Sequence, residues 1–380
     1  MCAAMSDKSA IEWTDATWNT WLGCTKVSPG CANCYISRTP PYRMQGLRFE
    51  RGAIPVQMLD ERMTLPLRWR KPRLIFVNSL SDTFHEDVPD DYVLAVFGVM
   101  AAADWHTFQV LTKRPERMLA LLSAPTSPGR IDGLKHVALA GTRRRYSKLT
   151  VSDVERLREQ AGAGVRTAAI AEAFGVSDTQ VRNILRGDQW QAEYEPEWPL
   201  RSVWLGVTAE NQRMADARIP LLLDTPAAVR FVSCEPLLGP LDLEPWLRES
   251  CDMNLHCLEH ADRPALNWVI AGGESGGPGR RRLVQRCANR LGRHLHVEGQ
   301  PVASFGEQMR SGVPCEGWIP TPEGISMVRS LRDQCAAAGV PFFFKQWGGP
   351  RPTSGGHLLD GRTWREMPEA ARQREEVGVE

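Results

Sequence analysis

The sequence predicts an α/β fold built on a parallel, TIM-barrel-like sheet, complete or partial, with one inserted helical module. Three observations predict it. Short apolar runs rich in β-branched and aromatic residues recur along the chain, as in strands buried on both faces. Helical patterns lie between them, so strand and helix alternate. Polar and charged residues follow nearly every run. In a parallel barrel that end of the sheet carries the active site, and in a doubly wound sheet a ligand binds there at the switch point.

Strands are expected over 74–78 (Leu-Ile-Phe-Val-Asn), 107–112, 203–208, 229–233, 267–271 and 341–345. Helices are expected over 90–103, 115–122, 211–223 and 325–338. The last has Ser326 as its N-cap and Gly339 just past its end, with Pro341 following. The strand ends carry Ser79 and Asp82, Lys113-Arg114, Glu210-Asn211, Glu235-Pro236, Gly272-Gly273-Glu274-Ser275-Gly276 and Lys345-Gln346-Trp347. Any one of these fits a structural role, and a lone Ser or Asp an ordinary helix cap. Their repetition points to a shared site, with Lys113, Glu210, Glu235 and Lys345 as catalytic candidates and Ser79, Asp82 and Glu274 beside them.

Residues 129–197 break the rhythm. An amphipathic helix begins near Ser152. Thr167 to Ser177 places small alanines at a helix–helix contact and Gly175 in a turn, and Asp178 to Gly187 forms a second helix capped by Ser177. That is a helix-turn-helix pattern. Its exposed face would carry Thr179, Gln180, Arg182, Asn183 and Arg186, types that reach phosphates and base edges. From Arg143 to Trp190, nine Arg/Lys face six Asp/Glu, a local net of +3. The expected organisation is a discontinuous barrel over 10–128 and 198–365, a helix-turn-helix over 143–190, and a tail over 366–380. A helical bundle for protein contact is the alternative reading of the insert.

The chain has 380 residues and a net charge of +1, so any nucleic-acid surface must be local. No apolar run reaches membrane-spanning length. The first residues lack the basic start and apolar core of a signal peptide, and Met5 is a candidate start. Ten cysteines without a secretion signal point away from a disulfide framework and toward a cytoplasmic protein.

Three of the ten, Cys24, Cys31 and Cys34, share one short loop with Gly23, Pro29 and Gly30, with Tyr35 after the last. Three readings stand. The thiols are buried and free; they bind zinc with a distant fourth ligand such as His85; or they hold an iron–sulfur cluster with one iron left open. Cys251, Cys257 and His260, with Cys287 and Cys315, form a candidate second zinc site of irregular spacing. Arg280-Arg281-Arg282 is a candidate phosphate contact.

Several motifs agree in order with one family: Ile11-Glu12-Trp13-Thr14-Asp15, the cysteine loop, Asn78 to Phe84, Leu111 to Pro115, Leu205 to Asn211, Ser233 to Pro240, Ala271 to Gly276 and Phe343 to Gly348. On these the chain resembles the phage and bacterial three-Cys-motif proteins, a family similar to radical S-adenosylmethionine enzymes. The resemblance covers most of residues 10–365 outside the insert. It implies a radical-SAM-type parallel barrel, with a [4Fe–4S] cluster on Cys24, Cys31 and Cys34. It implies S-adenosyl-L-methionine at the open iron, beside Tyr35, Ser79, Asp82, Gly272, Gly273 and Glu274. With the inserted module it points to nucleic acid as substrate, DNA rather than RNA, for base modification or lesion repair in phage or mobile-element biology. An electron donor and a separate partner protein are the other expected partners. The competing readings are a non-enzymatic, metal-stabilised DNA-binding protein and a metal-dependent nuclease using the strand-end carboxylates.

Overall fold

The computed structural model describes residues 9–140, 149, 151–186, 197–248, 264–276, 283–286, 318–351 and 353–370. β1 (Ala16–Trp18) leads into a hairpin of β2 (Trp21–Thr25) and β3 (Ala53–Met58), with helix α1 (Pro40–Met44) between its arms. Then follow β4 (Leu74–Val77), α2 (Asp90–Ala102), β5 (Thr107–Thr112), α3 (Pro115–Leu122), α4 (Ser127–Ala140), α5 (Val151–Gly162), α6 (Thr167–Ala173) and α7 (Asp178–Arg186). The second half runs β6 (Val203–Thr208), α8 (Gln212–Asp224), β7 (Val229–Cys234), α9 (Glu244–Leu247), β8 (Trp268–Gly272), β9 (Val284–Arg286), β10 (Trp318–Pro320), α10 (Pro322–Ala338) and β11 (Phe342–Gln346).

Seven strands form one parallel sheet in the order β1-β4-β5-β6-β7-β8-β11, curled into a half-barrel. Its strands are apolar on both faces because both faces are covered. Ile75, Val77, Phe108, Val110, Leu205, Val207, Val232, Val269 and Phe344 belong to the outer core that the helices cover. The alternate residues Phe76, Trp204, Phe231, Trp268, Ile270 and Phe343 turn inward and pack with Trp13, filling the lower half of the curl with rings. Trp13 meets Trp268 edge-on at 6.2 Å between centroids, a favoured aromatic arrangement.

Residues 113–202 stand between β5 and β6, which remain direct neighbours: Phe108 pairs with Val203 and Thr112 with Val207. α4 packs on α2, and Gly98 permits the close approach, since a Cβ there would lie 2.7 Å from Leu134 Cβ. α5, α6 and α7 have a small apolar core of their own, from Leu149, Val154, Leu157, Ile170, Ala171, Val181 and Ile184. Ser177 Oγ accepts the Gln180 N–H at 3.1 Å, the expected cap.

Most expected bounds hold to within one residue, but α10 starts at Pro322 rather than 325. Thr321, not Ser326, is its N-cap: Thr321 Oγ1 accepts the Gly324 N–H at 3.0 Å, and proline fits the first turn without an N–H to satisfy. Its far end matches the expectation, with Gly339 at φ +70°. Among the described residues no helix is long and apolar enough to cross a membrane.

Candidate functional site

The period-two alternation that buries the rings also builds the site. Above the aromatic layer, the same inward parity continues as Lys113 after β5, Thr208 and Glu210 on and after β6, Ser233 and Glu235 on and after β7, Gly272 and Glu274 at β8, and Lys345 on β11. Lys113 Nζ donates to Thr208 Oγ1 at 3.3 Å, and Lys345 Nζ pairs with Glu235 Oε1 at 3.1 Å. Gly272 makes room for that pair, since a Cβ there would fall 2.4 Å from Glu235 Oε1. The mouth of the half-barrel thus has a charged lining on an apolar floor.

The cysteine loop crosses this mouth and is fastened to four strand ends. At β4, the Tyr35 hydroxyl donates to the Ser79 carbonyl, although the Tyr35 side chain is 47% exposed overall. At β5, Arg114 Nη2 donates to the Thr25 carbonyl at 3.1 Å and Nη1 lies 3.9 Å from Cys24 Sγ. At β6, Gly30 N–H donates to Glu210 Oε1 at 3.0 Å. At β8, Asn33 Nδ2 donates to Glu274 Oε2 at 3.1 Å, and Arg38 reaches the Ser275 and Gly276 carbonyls at 3.2 Å each.

Cys31 is buried, while Cys24 and Cys34 are half-buried. Each of those two feels the charge of Cys31, so the three thiols share one electrostatic neighbourhood. Burial, reinforced by the Asp82 carboxylate, pushes the Cys24 thiol up to about 12 against the pull of Arg114. Burial also raises Cys34. Without a bound cation Cys24 and Cys34 therefore favour the neutral thiol. Among the described residues no group of three or more His, Cys, Asp or Glu side chains is placed to hold a metal ion.

Two of the sequence-predicted carboxylates are held in place by the fold itself. Asp82 accepts from Thr112 Oγ1 at 2.6 Å, Lys113 N at 3.0 Å and Phe84 N at 3.0 Å, and pairs with Arg114 at 3.1 Å. Glu210 is fully buried and pairs with Arg218 at 2.9 Å. Burial works to raise its pKa, but hydrogen bonds from Ser28 and Gly30 N–H and the charges of Arg218 and Lys113 outweigh it, so the carboxyl sits below its ordinary value. Ser79 Oγ is engaged with the Asn19 amide at 3.3 Å. Lys113, Glu235 and Lys345 remain partly exposed at the mouth.

His85 does come close to the cysteine loop. Its Nδ1 accepts the Asp87 N–H at 3.2 Å, which leaves Nε2–H to donate to Thr25 Oγ1 at 3.0 Å. Thr179, Arg182 and Arg186 are exposed on α7, with Gln180 and Asn183 half-buried beside them; Arg182 pairs with Asp178, and Arg186 donates to Asn183. Cys251, Cys257, His260, Cys287, Cys315 and Arg280 to Arg282 lie outside the described residues. The sequence shows no sign of Arg218, places Asn33 in the cysteine loop without its partner Glu274, and offers Arg114 as a phosphate contact or a solvated charge rather than as a tie to the loop. Only the position of Arg114 at a strand end signalled it.

A family model described as a protein of unknown function (DUF5131) matches residues 8–303 and 321–368, and the chain belongs to that family. No curated protein and no solved structure matches the chain.

Proposed function

We propose that this member of the DUF5131 family is a cytoplasmic iron–sulfur enzyme of the radical S-adenosylmethionine type, acting on nucleic acid. The observation that carries the reading is the cysteine loop fastened across the C-terminal mouth of a parallel half-barrel, above a charged lining. Cys24, Cys31 and Cys34 would hold the cluster. Each thiolate of a cubane binds a different iron, so the three stand farther apart than the ligands of one ion. A loop that brings three cysteines into one electrostatic neighbourhood supplies that donor set in kind. Because burial raises the Cys24 and Cys34 thiols, a bound cation would have to supply the charge that deprotonates them.

A bound cluster, reduced by an electron donor, would supply the one electron that cleaves S-adenosylmethionine into methionine and a carbon radical. The chain's own residues do the rest. Glu274 and Tyr35 flank the loop at the mouth, and Lys113 faces Cys34 with its positive charge. The Glu235–Lys345 pair faces the open side, where a carboxylate and an ammonium can accept and return a substrate proton. The aromatic floor excludes water from below. α5 to α7 form the inserted helix-turn-helix, with α7 presenting Thr179, Gln180, Arg182, Asn183 and Arg186 to nucleic acid. A half-barrel, open between β1 and β11, suits a substrate too large to enter a closed ring.

The test is anaerobic purification with iron and sulfide. Wild type should take up iron and sulfide in equal amounts and cleave S-adenosylmethionine reductively, and Cys34→Ala should do neither. Zinc bound in place of iron would refute the reading and favour a metal-stabilised DNA-binding protein.

A further inference from the structure

The segment from Lys26 to Arg51 carries Lys26, Arg38, Arg43, Arg48 and Arg51 against Glu50 alone, a net of +4 in a chain whose total is +1. It runs between the arms of the β2–β3 hairpin and contains Cys31 and Cys34. Its core makes it a firm platform. The Tyr42 hydroxyl donates to the Leu80 carbonyl and accepts Gly23 N–H at 2.6 Å, while Ile36 and Tyr42 bury against Leu22, Ile54 and Leu80. Lys26 N–H donates to the Gly52 carbonyl at 2.8 Å and ties the two ends together.

The cations on this platform are not neutralised. Arg43, Arg48 and Arg51 are exposed, and among the described residues none of the three has an ion-pair partner. Arg38 donates to backbone carbonyls, and Lys26 donates to the Ala32 carbonyl at 3.0 Å and lies over the Phe49 ring at 4.7 Å. Concentrated like charge costs the fold self-repulsion, and these side chains give it no ion pair in return. In the same segment, Met44 is 73% exposed and Tyr35 47% exposed. Guanidinium forks match phosphate geometry. An exposed ring among cations offers a stacking face for a base.

We infer that this segment is a single-strand nucleic-acid cradle, which leads the strand to the mouth and acts separately from α7. The inference rests on the nucleic-acid reading above and adds where the phosphates lie. An acidic electron-transfer protein would also be drawn to the charge, but it has less use for planar forks and an open ring.

The test measures binding of a labelled, mixed-sequence single-stranded DNA oligonucleotide to the full chain across a salt series. Wild type is compared with Arg43→Gln/Arg48→Gln/Arg51→Gln and with Arg182→Gln/Arg186→Gln. Each phosphate contact on a single strand contributes about 0.7 to the slope of log K against log salt. The triple variant should lose about 2 from that slope, with its thermal melt unchanged because the three exposed side chains hold no ion pair among the described residues. The α7 variant should keep most of the single-strand slope. A triple variant with wild-type slope overturns the inference, as does a slope lost only in the α7 variant. Normal DNA binding with impaired reduction by an acidic electron donor overturns it too and assigns the surface to that donor. A wild type that binds no oligonucleotide, single- or double-stranded, overturns the nucleic-acid reading itself.

Discussion

Glu210→Gln perturbs the fastening of the cysteine loop at its most buried point. The carboxylate is fully buried and serves three donors: Arg218 at 2.9 Å, Gly30 N–H at 3.0 Å and Ser28. Glutamine keeps the shape and one acceptor oxygen, so the Gly30 bond can survive. It leaves the Arg218 guanidinium buried with only the Thr208 carbonyl at 2.7 Å. Breaking a buried ion pair from one side costs about 3–5 kcal/mol, because the remaining charge is uncompensated. The surviving bonds place this substitution near the lower end, about 3 kcal/mol. Urea unfolding followed by tryptophan fluorescence reads it, with Arg218→Met completing a double-mutant cycle. Removing both charges should cost less than the sum of the single changes, since neither is then stranded. The pH dependence follows with a definite sign. The folded carboxyl lies below its ordinary value of 4.5, so its stabilisation is fully present above that pH and is lost as pH falls through the folded pKa. Glu210→Gln should flatten that acid limb. A loss under about 1 kcal/mol, as for an exposed pair, or strict additivity with Arg218→Met, would refute the reasoning.

Three further outcomes are expected. Gly273→Ala would set a Cβ 2.0 Å from the Trp347 carbonyl oxygen, a backbone atom that cannot swing away. It should lose about 1–3 kcal/mol or more. Gly133→Ala, in α4 with open space at its Cβ, should instead gain about 0.5–1 kcal/mol from helix propensity; equal melting shifts would contradict this. His85→Gln should remove a pH dependence. Burial, aided by the Arg114 charge, holds the His85 pKa below its ordinary 6.5. Folding then disfavours its protonated form, and wild-type stability should fall as pH drops below about 6.5. The urea midpoint of the variant should be flatter between about pH 5 and 7, and matching slopes in both proteins would count against the assignment.

Six of the seven strands of the parallel sheet were legible because burial on both faces leaves unbroken apolar runs. β1, with only Ala-Thr-Trp, is too short for any periodicity and exists through its pairing with β4. The β2–β3 hairpin was hidden by the turn-rich loop between its arms and by Gly23, whose positive φ and closeness to Pro55 interrupt the strand pattern. α4 carries Pro128, Gly129 and Gly133 and looks like a loop in isolation; packing on α2 makes it a helix. At the site, the polar strand ends were readable, but their roles were not. Glu210 and Glu235 look alike in sequence. One is fixed by Arg218 and by Gly30, 180 residues away, whereas the other faces the mouth with Lys345. Long-range partners separate a loop anchor from a solvent-facing acid, and local pattern carries no trace of them.

The ion pair between Glu12 and Arg365, at 2.9 Å, spans 353 positions of chain beside Trp13 and Trp268. It sets an order on assembly. The inward rings on β4 to β8 can collapse early, but β11 and the segment around Arg365 must arrive before the last edge of the sheet is covered. Contacts of such separation make folding slow, and a nascent chain stalled short of them would expose the β8 edge, a template for association. Truncation near the C-terminal segment should therefore appear first as loss of soluble yield during synthesis, before any change in the chemistry of the mouth.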